Sequence, residues 1–292
     1  MRVSKWLEQN TASLAGKTVA ITGSTGGLGK ALCAQLCALG ARLILLDRSQ
    51  ARSAAHAQAL LALHPTANVC CIRTDLADMA SVKEAVARLE REGVDIFIHN
   101  AGAYAIPREK CDTGLDNVFQ INFAAPYYMI RSLLPALRAR GGHVVAVGSI
   151  AHRYSKTDAQ DVDFSTRRRA SLVYGNAKRY LTFALQALFE NERDVTLCIA
   201  HPGISQTGIT AHYPKLLYAL INYPMRVIFP RPKRACLSIL KGIFTPCNAG
   251  EWIGPRTFDV WGLPRKKPLC SATKKEIADI AARAEEIYGR IK

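Results

Sequence analysis

The chain has 292 residues, 49% of them hydrophobic, and a formal net charge of +16. That length and apolar content suit one sizeable core, and no run reaches the roughly 18 uninterrupted apolar residues that cross a bilayer. The positive charge is not accompanied by any nucleic-acid fold signature or interleaved aromatic ladder, so nucleic acid is not expected as a partner. Basic clusters at Arg167-Arg168-Arg169, Arg231-Pro232-Lys233-Arg234 and Arg265-Lys266-Lys267 leave a solvated surface or peripheral contact with anionic lipid as readings. The nine cysteines are scattered without metal-finger or disulfide-framework spacing. They read as reduced, mostly buried thiols of a cytoplasmic protein, with no metal site. The N-terminus lacks the apolar centre of a signal peptide, and residues 1–15 are expected to be an extension to a single domain.

The first predicted strand, Lys17 to Thr22, runs into "TGSTGGLG" and a helix from Gly27 to Leu39. Gly23 can take a tight turn, Gly27 leaves room for backbone amides to approach a pyrophosphate, and Gly29 lets the helix pack close to the sheet. The spacing is Gly-x-x-x-Gly-x-Gly, and no Gly-Lys-Ser/Thr follows to make a P-loop. The second strand, Arg42 to Asp47, ends on a carboxylate that can accept both ribose hydroxyls of an adenosine and repel a 2′-phosphate, which favours NAD(H). Arg48, next to it, could welcome that phosphate, so NADP(H) stays open. A helix follows to about His64.

The third strand, Asn68 to Asp75, is followed by a helix through Arg91. Asp75 reads equally as a contact to the adenine amino group or as a helix N-cap. The fourth, Val94 to Gly102, ends in "HNAG", where Asn100 would tie strand to strand. A long helix from Thr113 to Arg138 carries Asn122, whose amide could hold a water that passes protons. The fifth strand, His143 to Ser149, ends on a serine, and a polar loop leads to a helix from Val173 to Phe189. The sixth, Val195 to Gly203, ends in "HPG". Apolar strands alternating with helices give a doubly wound parallel sheet of Rossmann type, with helices on both faces and ligands beyond the carboxyl ends of the strands.

"YGNAK" places Tyr174 and Lys178 four residues apart on one helical face. A free tyrosine titrates near pH 10, and a fixed ammonium favours the phenolate. The pair then suits an alcohol–ketone couple as a general acid/base. The spacing alone decides nothing, because it recurs at Tyr288 and Lys292, which reads as a coincidence on an exposed terminal helix. Tyr174 differs in its company, since the Ser149 hydroxyl can share the substrate oxygen.

Taken together, "TGSTGGLG", Asp75, "NAG", Asn122, Ser149, "YGNAK" and "HPG" come in the order of the short-chain dehydrogenase/reductase family, which the chain resembles from about Lys17 to Gly203. The resemblance implies a nicotinamide-dependent oxidoreductase with Tyr174 as acid/base, Lys178 on the nicotinamide ribose, Ser149 polarising the substrate and Asn122 completing a proton relay. It implies coenzyme contacts at Gly23, Ser24, Thr25, Gly27, Leu28, Gly29, Asp47, Arg48, Asp75 and Leu76. Further contacts fall at Asn100, Ala101, Gly102, Tyr174 and Lys178, and at the nicotinamide end at Pro202, Gly203 and Thr207. The long Ser149-to-Tyr174 spacing, Ala151-His152 and "HPG" are similar to the retinol dehydrogenase-like branch, which acts on lipophilic alcohols and ketones. By the same analogy the chain is expected to form a homodimer or homotetramer.

Residues 204–230 are expected to supply an apolar substrate lid, with Leu216, Leu217, Tyr218, Leu220, Ile221, Tyr223, Met225, Ile228 and Phe229 suited to a retinoid, steroid or long-chain carbonyl. Those side chains equally suit packing on the domain or on a partner subunit. Residues 270–292 read as a C-terminal helix. The alternative to an enzyme is a non-catalytic dinucleotide sensor or scaffold on the same fold.

Overall fold

The computed structural model describes residues 3–203, 230–245, 247–248 and 250–292. Strands β1 (Thr18–Thr22), β2 (Arg42–Asp47), β3 (Val69–Arg73), β4 (Ile96–His99), β5 (His143–Val147) and β6 (Thr196–Ala200) alternate with helices. Two more, β7 (Glu251–Thr257) and β8 (Trp261–Pro268), complete a sheet ordered β3-β2-β1-β4-β5-β6-β7-β8. All neighbours pair in parallel except β8, which returns antiparallel to β7.

The apolar runs become central strands because both faces are covered. Successive side chains go to opposite sides: Ala20, Ile44, Phe97 and Val144 face one core, while Val19, Leu43, Ile98 and Val145 face the other. The first core is roofed by α4 (Met79–Glu92), α5 (residues 117–138), α6 (Ala170–Leu188) and α9 (Lys274–Ile291). The second is roofed by α1 (Val3–Asn10), α2 (Gly27–Ala38), α3 (Gln50–Leu63), α7 (Pro232–Ala235) and α8 (Leu237–Phe244). Residues of the expected N-terminal extension thus form α1 and bury Trp6 in this second core.

The β7–β8 hairpin departs from the sequence expectation of six strands. Gly254, Pro255, Pro264 and Pro268 make this stretch read as loop. Pro264 and Pro268 are tolerated because β8 is an edge, Pro255 lies past the single β6–β7 pairing at Ala200 and Ile253, and the lysines of β8 blunt its edge against pairing with another chain. Lys266 pairs with Glu251 at 3.2 Å and Lys267 with Asp259 at 2.6 Å. One of the basic clusters is therefore partly neutralised within the fold. Helix α5 also starts later than expected, at Asn117, capped by Asp116, and it contains a π turn over Gln120–Ala124. Tyr288 does not sit on a bare helix: its ring packs against Tyr128 at 5.5 Å between centroids, with the Arg131 guanidinium over it.

Among the described residues no helix is long and apolar enough to cross a membrane, and no His/Cys/Asp/Glu group could hold a metal ion.

Candidate active site

The strand order reverses between β1 and β4, and the crevice beyond their carboxyl ends becomes the site. Thr22 stitches that switch point: its hydroxyl accepts from the Asn100 and Ala101 amides, each at 3.0 Å. The Asn100 side chain donates to the carbonyls of Thr22 and Gly23, each at 3.0 Å, tying strand to strand. His99 Nδ1 lies 3.1 Å from the same hydroxyl. Its complete burial and the charge of Lys178 hold the ring's pKa well below the usual imidazole value.

From this point a cavity of about 660 Å³ runs from the glycine loop past Asp47 to Ser149, Tyr174 and His201-Pro202-Gly203. Two glycines are required by space. Gly23 has a φ of +69°, and a Cβ there would come within 2.8 Å of Ala101 Cα. A Cβ on Gly29 would lie 2.3 Å from the Gly23 carbonyl, so only glycine lets α2 sit this close to the strand end. Gly26 and Gly27 are exposed at the groove, where the N–H groups opening α2 have no earlier turn to bond. This side-chain-free cradle at a helix N-terminus fits the pyrophosphate of a dinucleotide. Ser24 is turned away: its hydroxyl bonds to Asp47. Thr25, Leu28, Leu76, Ala101 and Gly102 line the cavity.

Asp47 sits at the expected place but is already engaged. One oxygen accepts from the hydroxyls of Ser24 and Ser53, the latter at 3.1 Å; the other accepts from the Thr25 amide and hydroxyl, each at 3.1 Å. The carboxylate therefore latches the glycine loop onto α3, and a ribose hydroxyl would have to share or displace one of these donors. Arg48 and Arg52, both exposed, line the same end of the cavity. Asp75 also lines the cavity, and its carboxylate accepts from the Ala77 amide at 3.1 Å. The cap of α4 is instead Asp78, so the N-cap reading of Asp75 falls.

At the other end Ser149, Tyr174 and Lys178 lie together and line the cavity. The Ser149 hydroxyl accepts the Ala151 amide at 3.2 Å. Lys178 lies over the Tyr174 ring, with Nζ 5.7 Å from its centroid, and donates to the Val147 carbonyl at 3.0 Å. The expected lowering of the phenol's pKa by this ammonium is not what the protein groups alone produce. Burial pushes Tyr174 up to about 12, with the Ser149 hydroxyl pulling the other way. Burial likewise brings Lys178 down to about 7. Desolvation is the largest influence on both groups.

Asn122 is held firmly in place. Its amide donates to the carbonyls of Ala103 and Val118, each at 2.8 Å, and its oxygen accepts from the Ala103 amide at 3.2 Å. The side chain clamps the loop after β4 and has no donor left for a water. The π turn around it is closed by an Ala125 N–H to Gln120 carbonyl bond. A Cβ on Gly102 would meet Asn122 Oδ1 at 2.9 Å and Lys178 Nζ at 3.8 Å. The clamp thus sets the wall beside the lysine.

Tyr104 and Trp252 escaped the sequence reading, and His152 and His201, read there only as family markers, take on a structural part. Tyr104 meets Tyr174 edge-on, with centroids 5.3 Å apart; an aromatic two residues past "NAG" was the available signal. His152 Nδ1 lies 2.6 Å from the Ser149 carbonyl, and His201 Nε2 lies 3.0 Å from that of Asp259. Both rings flank the buried Trp252 with centroids at 5.3 Å. Burial brings each histidine down to about 4, so at neutral pH they are uncharged props for the serine and the "HPG" turn. Thr207 and positions 204–229 of the expected lid lie outside the described residues.

The short chain dehydrogenase family profile matches residues 17–160. The chain is 28% identical to human retinol dehydrogenase 13 over 69% of its own length, and spans 62% of that relative. It is 30% identical to mouse retinol dehydrogenase 14, over 84% of this chain and 81% of the relative. Its fold matches the crystal structure of an uncharacterized protein from Mycobacterium paratuberculosis with a TM-score of 0.75 and 23% identity, over 97% and 96% of the two chains. On this similarity, extending over most of its length, the chain belongs to the short-chain dehydrogenase/reductase family, in its retinol dehydrogenase-like branch.

Proposed function

We propose that the protein is an NAD(P)(H)-dependent oxidoreductase that interconverts an alcohol with a ketone or aldehyde on an apolar substrate of retinoid, steroid or long-chain type. The observation that carries this reading is that Ser149, Tyr174 and Lys178 together line one end of the cavity that begins at the glycine loop. When bound, the coenzyme supplies a nicotinamide carbon that accepts or gives a hydride. Tyr174 takes the hydroxyl proton in oxidation and returns it in reduction, Ser149 fixes the substrate oxygen beside it, and Lys178, over the tyrosine ring, is placed to hold the nicotinamide ribose. Asn122 contributes by positioning the loop beside Lys178. The retinol dehydrogenase names of the relatives support a lipophilic substrate. The test is a screen of retinoids, steroids and aliphatic carbonyls with both coenzymes, read by the absorbance of the reduced nicotinamide. Saturable dinucleotide binding with no turnover across the panel would favour the non-catalytic scaffold.

We further propose NAD(H) as the preferred coenzyme. The buried Asp47 carboxylate lines the adenosine end of the cavity, and a 2′-phosphate placed against it would meet like charge. Arg48 and Arg52 pull in the opposite direction, which keeps the preference modest. Asp47→Ala is expected to reduce the ratio of NAD to NADP specificity by about tenfold, roughly 1.4 kcal/mol, measured as kcat/KM with each coenzyme. An unchanged ratio would remove Asp47 from coenzyme selection and leave it as a latch for the loop.

A further inference from the structure

Away from the coenzyme cavity, two cysteines distant in sequence meet at one point in the core. Cys198 is fully buried in β6, and Cys247 is half-buried between α8 and β7. They are 49 residues apart in the chain, yet their sulfurs are 2.8 Å apart. That is closer than non-bonded carbon atoms pack, about 3.5–4.0 Å, and longer than an S–S bond of about 2.05 Å. The fold makes this approach possible. Gly242 of α8 faces Cys198, and a Cβ there would lie 3.1 Å from its sulfur.

We propose that Cys198 and Cys247 form a redox-active thiol pair that closes reversibly to a disulfide when exposed to a peroxide. The two partners divide the work by environment. Cys247 is the more accessible thiol; the Cys198 hydrogen bond and the positive charge of Lys266 favour its thiolate, which makes it the attacking group. Cys198 is buried, and its thiol is held protonated until its neighbour has been oxidised. The Cys247 thiolate attacks one peroxide oxygen, the O–O bond breaks, and hydroxide leaves with a sulfenic acid formed. Cys198 then attacks that sulfur, the S–S bond forms, the S–O bond breaks and water leaves. In total two thiols lose two protons and two electrons, and one peroxide becomes two waters. A thiol reductant reverses the process by exchange. The bond ties the segment entering β7 to β6 three residues before His201, and the loop it closes contains residues 204–229. The adjacent Cys70 and Cys71 have no such geometry, because they face opposite sides of β3.

The test uses the full chain, fully reduced and then treated with a small molar excess of hydrogen peroxide. Free thiols are next blocked with iodoacetamide, and the protein is digested without reductant. A peptide joining Cys198 to Cys247 is expected, with a mass loss of about 2 Da in the intact protein, both reversed by dithiothreitol. The oxidised protein should melt a few degrees higher, and Cys247→Ser, which leaves the buried Cys198 in place, should abolish both the cross-link and the change in melting temperature. The proposal is overturned if both cysteines remain alkylatable under conditions that oxidise the exposed Cys270. It is equally overturned if Cys247 stops at a sulfinic acid with Cys198 still free.

Discussion

Replacing Tyr174 with Phe is expected to lower kcat by about 10²–10⁴-fold while coenzyme Kd stays within about threefold. The substitution removes one oxygen and leaves the ring, so the edge-on contact with Tyr104 and the position of Lys178 over the ring survive. What disappears is the proton carrier that lines the cavity beside Ser149. Steady-state kinetics beside calorimetric titration of the coenzyme checks both halves. A coenzyme affinity that collapses together with turnover would mean that Tyr174 shapes the cavity rather than serving the reaction. The wild-type pH profile offers a companion reading. Burial holds the phenol high, at about 12, so alcohol oxidation should accelerate as pH rises, whereas carbonyl reduction, which needs the phenol protonated, should show no such rise near neutrality.

Lys178→Met should give the opposite pairing of effects, an inactive protein that is more stable than the wild type. Lys178 is 2% exposed, and burial brings it down from 10.5 to about 7. The sign follows from proton counting. Between about pH 7 and 10.5 the unfolded chain carries this proton and the folded one does not, so the group's contribution to stability rises with pH across that window. Below about pH 7 the folded protein holds a desolvated charge, and the full penalty applies. Every tenfold loss of proton affinity on folding corresponds to about 1.4 kcal/mol. Against this the Met variant loses the hydrogen bond to the Val147 carbonyl, about 1 kcal/mol. The net gain at pH 6 should be about 2–4 kcal/mol, read by urea denaturation, and it should shrink as pH is raised toward 10. A variant less stable than wild type at pH 6 would show that the ammonium is better solvated in its site than its burial implies.

The order of the fold was legible because its signals are local. Apolar runs of strand length, separated by amphipathic segments, leave few ways to cover both faces of a sheet, and the right-handed crossover rule fixes the rest. Gly23 and Gly29 were legible for a related reason: a positive φ and a close backbone approach admit essentially one residue type. The β7–β8 hairpin was hidden because glycine and proline, which mark loops elsewhere, are tolerated at a sheet edge. The start of α5 was hidden because Asp116, rather than the earlier Thr113, supplies the cap.

By itself, the sequence determined the parallel α/β architecture, the glycine cradle and the identity of the Ser149, Tyr174 and Lys178 set, since each depends on residue type and spacing along one or two elements. Tertiary structure alone decided what those groups do to one another. Asp47 turned inward to Ser24, Thr25 and Ser53, Asn122 closed on Ala103 and Val118, and Lys178 lay over the tyrosine ring, bonded to the Val147 carbonyl. Hydrogen bonds and desolvation depend on distances of a few tenths of an ångström between segments remote in the chain, and such distances exist only once the core has set where every backbone lies.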